Sequence, residues 1–401
     1  MCGTATVLVY GSQTKLSGWK YAGALFSVCF VLSVCTCFAE SRTWTDKTGQ
    51  HTVKAEFIRV SNGNVLLNTD SGRIVSVPLE KLSEPDRIHA KSLQKEQDEK
   101  AETQRLELAK QAGVRYVNPG TFRIKMGVEV TAQNGPLKNL VVTFPVPMDW
   151  PEQKVEIVET DVSRYAKKPT HRVISGGVQQ YQFLVPSLPS GESAHVLLTL
   201  DVERRQIQPP EKPELLRYPR KLGLQLRPYL TESPFIETRH PKVRAAAEEL
   251  EFDPAMPAWP QIEKIYDWTR DKVKHDGTKP LKGALEALMS ETGDCEERTS
   301  LFVAMCRLKK IPARSVWIQG HAYPEFYLED SAGNGHWIPC ESLGDRNFGG
   351  IDRYDLLLQK GDNFRVSQRP DPQRYVSPTA SGMLGAGSGQ PVLREIREQV
   401  Q

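Results

Sequence analysis

An excess of charge of either sign is the first thing this sequence lacks. Its 401 residues carry 52 Lys plus Arg against 49 Asp plus Glu, with no basic run of useful length. Bulk nucleic-acid binding needs a clustered basic surface that displaces counterions, so that class is set aside. Metal chemistry has equally little to stand on. His321, His336 and Cys340 are conceivable ligands, but no short-spaced His or Cys pair accompanies them. No EF-hand pattern occurs, so nothing argues for calcium, and neither metal nor cofactor is expected. Cysteine is scarce too. Of seven, Cys2, Cys29, Cys35 and Cys37 fall within the first 40 residues, leaving Cys295, Cys306 and Cys340.

Those first residues read as a targeting segment rather than as fold. Lys15 and Lys20 give a sparse basic region, Ala22 to Phe38 is mostly apolar, and Cys37-Phe38-Ala39 suits a cut after Ala39. A signal peptide over 1–39 is therefore expected. An uncleaved anchor is the rival, and only that would tie the chain to a membrane. Val34 before Cys35 does not suit a lipoprotein signal. Export implies a secreted, periplasmic or cell-envelope protein. With three cysteines in an oxidising compartment, at least one thiol stays unpaired, a reason to look for a nucleophile.

A chain of this length implies two or three domains. From Arg42 to about Ala90, short alternating runs are separated by the turns Ser61-Asn62-Gly63-Asn64 and Asp70-Ser71-Gly72. This predicts a small Src-homology-like β-barrel over 42–90. Residues 91–113 continue a stretch of Lys, Glu, Gln and Ala and predict a solvated helical linker. Strict alternation at Phe122, Ile124, Met126, Val128 and Val130 opens a third region. Repeats of that pattern over 114–208 predict an immunoglobulin-like β-sandwich, or a β-subdomain built onto the region that follows. Helical periodicity begins after Pro241, and residues 228–375 predict an α+β core. Lys360 to Phe364 reads as a surface turn, and 376–401, rich in Gly and Ser at its start, as a flexible tail. The fold class is thus α+β and multidomain.

The chemistry concentrates at Gly293-Asp294-Cys295. Asp294 is a natural N-cap for the apolar helix that follows, so Cys295 falls in the first turn, where the dipole favours a thiolate. Glu296 and Glu297 push the other way, so a cationic partner is needed. Cys306 lies deep in the same helix among apolar neighbours and reads as a packed hydrophobe. His321 opens a predicted strand, and Gly333-Asn334-Gly335 turns that strand into the next, His336 to Glu341. A nucleophile on a helix facing a base on an antiparallel sheet is the layout of a papain-like site.

Gly-Asp-Cys, Ile311-Pro312-Ala313-Arg314, His321-Ala322-Tyr323-Pro324-Glu325 and Trp337-Ile338-Pro339 resemble, in order and spacing, the transglutaminase-like core over about 228–345. The resemblance implies Cys295 as nucleophile and His321 as general base, with Arg314 and Glu325 supporting the core. The family's third member is an Asp four residues after the tryptophan. Here that position is Glu341, with Asp345 as a second candidate, and His275 or Tyr266 could supply the oxyanion donor. The run Arg42-Thr43-Trp44-Thr45-Asp46, with Gly49, Ala55-Glu56-Phe57, Asp70-Ser71-Gly72 and Val77-Pro78-Leu79, resembles a Sla-type homology domain. That implies a protein partner for the barrel, beside the reading of a purely structural module. Together these residues imply acyl transfer from an amide of a protein or peptide substrate through a thioester. Water as acceptor gives an amidase or peptidase, and an amine gives a transamidase. The rival is a catalytically weak or inactive protein of the same fold, serving as a binding module of the cell envelope.

Overall fold

The computed structural model describes residues 41–61, 63–174, 178–253, 255–277, 281–382 and 389–400, so the signal peptide read at 1–39 lies outside the described residues. The chain divides into two units, Met1–Gln97 and Asp98–Gln401.

In the first unit, alternating residues form β1 (Arg42–Thr45), β2 (Thr52–Ser61), β3 (Asn64–Thr69) and β4 (Ile74–Pro78), an antiparallel meander in that order. Trp44, Ala55, Phe57, Val65 and Leu67 face inward, and the Trp44 indole N–H donates to the Ala55 carbonyl at 3.0 Å. The segment after β4 returns to the end of β1, through Ser83 N–H to the Thr45 carbonyl and an Asp46–Leu82 bridge, so the two ends of the meander meet. Helix α1 (Glu84–Ala112) begins earlier than the linker expected at 91–113. Buried Asp86 in its first turn accepts from Arg42 and from the Thr45 amide, and Ala90 joins the sheet's core. Ala112, within the second unit, is buried in that unit's core.

The second unit opens with six strands: β5 (Arg115–Gln133), β6 (Leu137–Val146), β7 (Gln153–Val162), β8 (Thr170–Ile174), β9 (Val178–Leu188) and β10 (Ser193–Gln208). Alternation places Ile124, Met126, Val128 and Val130 of β5 against Val142, Phe144, Phe183 and Val185 of β6 and β9. Helices α2 (Pro241–Glu249) and α3 (Ala258–Lys272) follow, then β11 (Lys274–His275), α4 (Ala284–Ser290), β12 (Thr292–Gly293) and α5 (Cys295–Leu308). Helix α5 is buried nearly all round, its apolar stretch from Leu301 to Cys306 in the core and its buried Glu297, Arg298 and Arg307 each hydrogen-bonded within the protein. It rests on an antiparallel sheet of β13 (Ala313–Ile318), β14 (His321–Glu329), β15 (Gly335–Pro339) and β16 (Leu357–Lys360), ordered β15-β14-β13-β16.

The last strands, β17 (Thr379–Ser381) and β18 (Gln390–Val400), return to the sandwich. The two sheets run β18-β5-β10-β7 and β17-β6-β9-β8. The expected flexible tail is therefore corrected: β18 pairs with β5 from Gln390 opposite Gln133 to Val400 opposite Arg123. Long β5 needs a partner for its outer N–H and C=O groups, and β18 supplies it with Ile396 buried beneath.

The sandwich and the α+β core are one compact unit rather than separate domains. Trp317, Ala322, Leu356 and Leu358 of the second belong to the hydrophobic core of the first. Buried Gln153 clasps the backbone of Leu357 in both directions, at 2.8 and 3.0 Å. Lys360 to Phe364 is no surface turn either. Asp362 is 2% exposed and pairs at 2.7 Å with fully buried Arg307 of α5. Among the described residues no helix is long and apolar enough to cross a membrane.

Candidate active site

The start of α5 is capped by short local bonds. Asp294 caps the helix, its carboxylate accepting the Glu296 amide at 2.9 Å, while Glu297 reaches back to the Asp294 amide at 3.0 Å. The second Glu297 oxygen accepts the Lys282 amide at 2.8 Å. Gly293 is demanded by this closeness, because a Cβ there would lie 2.4 Å from Glu297 Cβ. Strands β11 and β12 pair in parallel just before the cap, with His275 opposite Gly293.

Cys295 follows in the first turn and is 8% exposed. Burial, with the Asp294 and Glu297 carboxylates nearby, pushes its thiol up to about 11. The backbone N–H of Ala322 and that of Cys295 itself hydrogen-bond the sulfur and pull the other way, without prevailing. Burial contributes the largest share, and the carboxylates beside the helix start oppose the thiolate, in line with the need for a cationic partner read from the sequence.

Ala322 follows His321, the first residue of β14. The His321 Nε2 lies 2.6 Å from Glu341 Oε1. Burial would raise the Glu341 carboxyl, but hydrogen bonds from His321, Arg353 and the Leu343 amide, with the His321 charge, hold it below the usual carboxylate range. An ionised Glu341 requires Nε2 to donate, which leaves Nδ1 as the basic nitrogen. Glu341 is itself fixed from several sides. Its Oε2 accepts Arg353 Nε at 2.9 Å, and its carbonyl accepts the Tyr266 hydroxyl at 2.8 Å. Its amide donates to the Asn347 carbonyl at 2.9 Å.

Residues 244–342, which include Cys295, His321 and Glu341, match the model of the transglutaminase-like superfamily. The chain carries a transglutaminase-like domain. Residues 37–98 match the model of SLA1 homology domain 1. Among solved structures, the chain is similar to a "putative cysteine protease" from Cytophaga hutchinsonii, at 16% identity, TM-score 0.46, covering 72% of this chain and 93% of that one. A "putative protease" from Parabacteroides distasonis is matched at 14% identity and TM-score 0.23. That match covers 56% of this chain and 43% of the other. No curated protein matches.

Within the transglutaminase-like domain the alternatives left open by sequence separate. Asp345 is exposed on the loop beyond Glu341, whereas Glu341 touches the imidazole. The Tyr266 hydroxyl donates to the Glu341 carbonyl and accepts the Asn347 amide at 3.2 Å, so it shapes that loop. His275 remains exposed beside Gly293. His336 bonds Asp330 at 2.9 Å, and Cys306 and Cys340 are fully buried free thiols.

Arg314 and Glu325 form part of a buried charge cluster. Arg314 Nε lies 2.8 Å from Glu325 and its guanidinium 4.0 Å from the Trp337 ring. Lys360 bridges Glu325 and Glu152 at 2.5 and 2.6 Å. Sequence reasoning missed Lys360, Glu152 and Arg353. No local motif marks them, since each meets its partner only across the fold.

Proposed function

We propose that the chain is an exported cysteine-dependent acyl-transfer enzyme that opens amide bonds of proteins or peptides through a thioester. The observation that carries this reading is the His321–Glu341 contact at 2.6 Å, one residue from the Ala322 amide that serves the Cys295 sulfur. In the scheme, His321 Nδ1 takes the Cys295 proton as the sulfur adds to the substrate carbonyl carbon. The developing oxyanion is met by a backbone N–H at the start of α5, with exposed His275 as a further donor. The imidazolium then protonates the leaving amine and the C–N bond breaks, leaving a thioester. Water, deprotonated by the same nitrogen, displaces the thiol and releases the acid. A lysine amine in place of water would give an isopeptide bond, and water is the acceptor proposed here.

The raised thiol fits a nucleophile deprotonated during attack by a base that Glu341 orients. Export is supported by the apolar segment Ala22 to Phe38 and the small residues before position 40. The N-terminal unit is proposed to hold a protein partner, on its likeness to the SLA1 homology domain.

Labelling with a thiol-directed electrophile tests the reading. Covalent modification should map to Cys295, vanish in Cys295→Ala and fall strongly in His321→Ala. Modification independent of both residues would leave the binding-module alternative. Incorporation of a fluorescent amine into a protein acceptor would move the reading to transamidation.

A further inference from the structure

One cation stands at the nucleophile without a place in the scheme above. Arg374 comes from the segment after β16, and its Nη2 contacts the Glu296 carboxylate, one residue from Cys295. Its guanidinium lies 4.7 Å from the Phe235 ring and 4.8 Å from the Trp317 ring. The side chain is 12% exposed, and Nη1 is buried with no hydrogen-bond partner among the described residues. A buried charged donor without an acceptor costs free energy, unless an acceptor arrives from outside.

The surroundings hold this group in place. The Gly361 amide donates to the Ser315 carbonyl at 2.8 Å, and Trp317 Nε1 donates to the Gly361 carbonyl at 2.8 Å. Downstream, Gln359 and the Val376 backbone exchange two bonds at 2.8 and 2.9 Å. Between them, Phe364 and Gln373 pair through their backbones. Phe235, which covers the guanidinium, has φ +67°, a conformation that bulky residues rarely adopt outside constrained sites. On the other face Trp317 is the β13 partner of Ala322, whose amide reaches the Cys295 sulfur. Arg374 thus stands within the electrostatic reach of Asp294 and Cys295.

We propose that Arg374 is a substrate-binding residue, whose unpartnered Nη1 takes a carboxylate carried next to the scissile amide. The favoured substrates are then amides or peptides with a carboxylate flanking the cleaved bond, as at a free C-terminus or an acidic side chain. The inference rests on Cys295 being the nucleophile. Glu296 holds the guanidinium in position and partly offsets its charge, so the pair presents one directed donor rather than a bare cation.

Two alkylating agents of nearly equal size test this directly. Iodoacetate carries the carboxylate next to the reacting carbon and iodoacetamide does not. The readout is the ratio of their rates at Cys295. Arg374→Met should lower that ratio about tenfold relative to the unchanged protein, as expected for loss of one charge-assisted hydrogen bond. Arg374→Lys should fall between the two. Glu296→Gln, a change at a partly exposed side chain, should raise the ratio and decides the matter if the Met variant does not fold. A ratio unchanged within about twofold in Arg374→Met, or lowered in Glu296→Gln, overturns the proposal. Failure of both reagents to label Cys295 in the unchanged protein removes the nucleophile reading itself, and the proposal with it.

Discussion

Glu341 holds the His321 imidazole with one carboxylate oxygen and the Arg353 guanidinium with the other. Replacing it by Gln keeps an oxygen that can accept from Nε2, but removes the charge that stabilises an imidazolium. The rate of Cys295 acylation by an activated ester should fall roughly 10- to 100-fold in Glu341→Gln, short of the larger loss known for a triad Asp changed to Asn. Glu341→Asp draws the carboxylate back from both partners and should do no better, whereas Asp345→Asn should leave the rate within about twofold. Equal impairment in Asp345→Asn would relocate the third member. The thiol itself makes a pH prediction. With Cys295 pushed up to about 11, alkylation of the free protein should climb about tenfold per pH unit from neutral pH towards 10. A plateau reached below pH 7 would mean a resting thiolate–imidazolium pair. Cys306 and Cys340 are 0% exposed and should stay unmodified until the protein unfolds.

At the scale of elements, α5 is the piece on which the site depends, and its start was legible in the sequence. Asp294 as cap, Glu297 three residues on and the apolar run behind them specify a buried helix through local rules alone. Gly293→Ala sets a methyl against Glu297 Cβ and should lower stability by about 1–3 kcal/mol, read from the denaturation midpoint. The C-terminal strands were not legible. Charged residues fill much of β18, and its burial comes from an edge of β5 more than 250 positions earlier. Deleting residues after 382 should strip that edge. Aggregation and a lowered melting temperature in scattering and calorimetry are expected, and an unchanged melt would show that β18 is dispensable.

Among the hydrophobic cores of the second unit lies a cluster of charges taken out of water. Glu325 lies between Arg314 and Lys360, and Lys360 also meets Glu152. Removing the shared carboxylate leaves two buried cations with one acid between them. Glu325→Ala should cost about 3–5 kcal/mol in denaturant unfolding, far more than a surface pair. Burial opposes ionisation of Glu325, but Lys360 and Arg314 outweigh it and hold the carboxyl below its usual value, as the partners of Glu341 do there. A depressed folded value means that both groups contribute stability above the unfolded carboxylate range. That stability is lost as pH falls through their folded values, so acid should weaken this unit before base does. Residues Asp98–Gln401 hold the sandwich, the sheet and the site within one compact unit. That fragment should keep the Cys295 labelling of the full chain, and a loss of labelling would tie the site to the first 97 residues.

The sequence by itself determined the things that rest on neighbours within a few positions. The N-cap and the cysteine in its first turn are of that kind, as are the hairpin carrying His321 and Glu341, the alternation of the sandwich strands and the Trp44 meander. Each is set by periodicity, capping or turn chemistry, which act over one or two turns of chain. Tertiary structure alone decided which acid reaches His321, how high burial drives the thiol, and where Arg353 and Arg374 stand. It also decided that the sandwich and the sheet carrying His321 share a core and that the last strand completes the first sheet. Those outcomes depend on desolvation and on partners distant in sequence, and neither quantity is carried by any local pattern of residues.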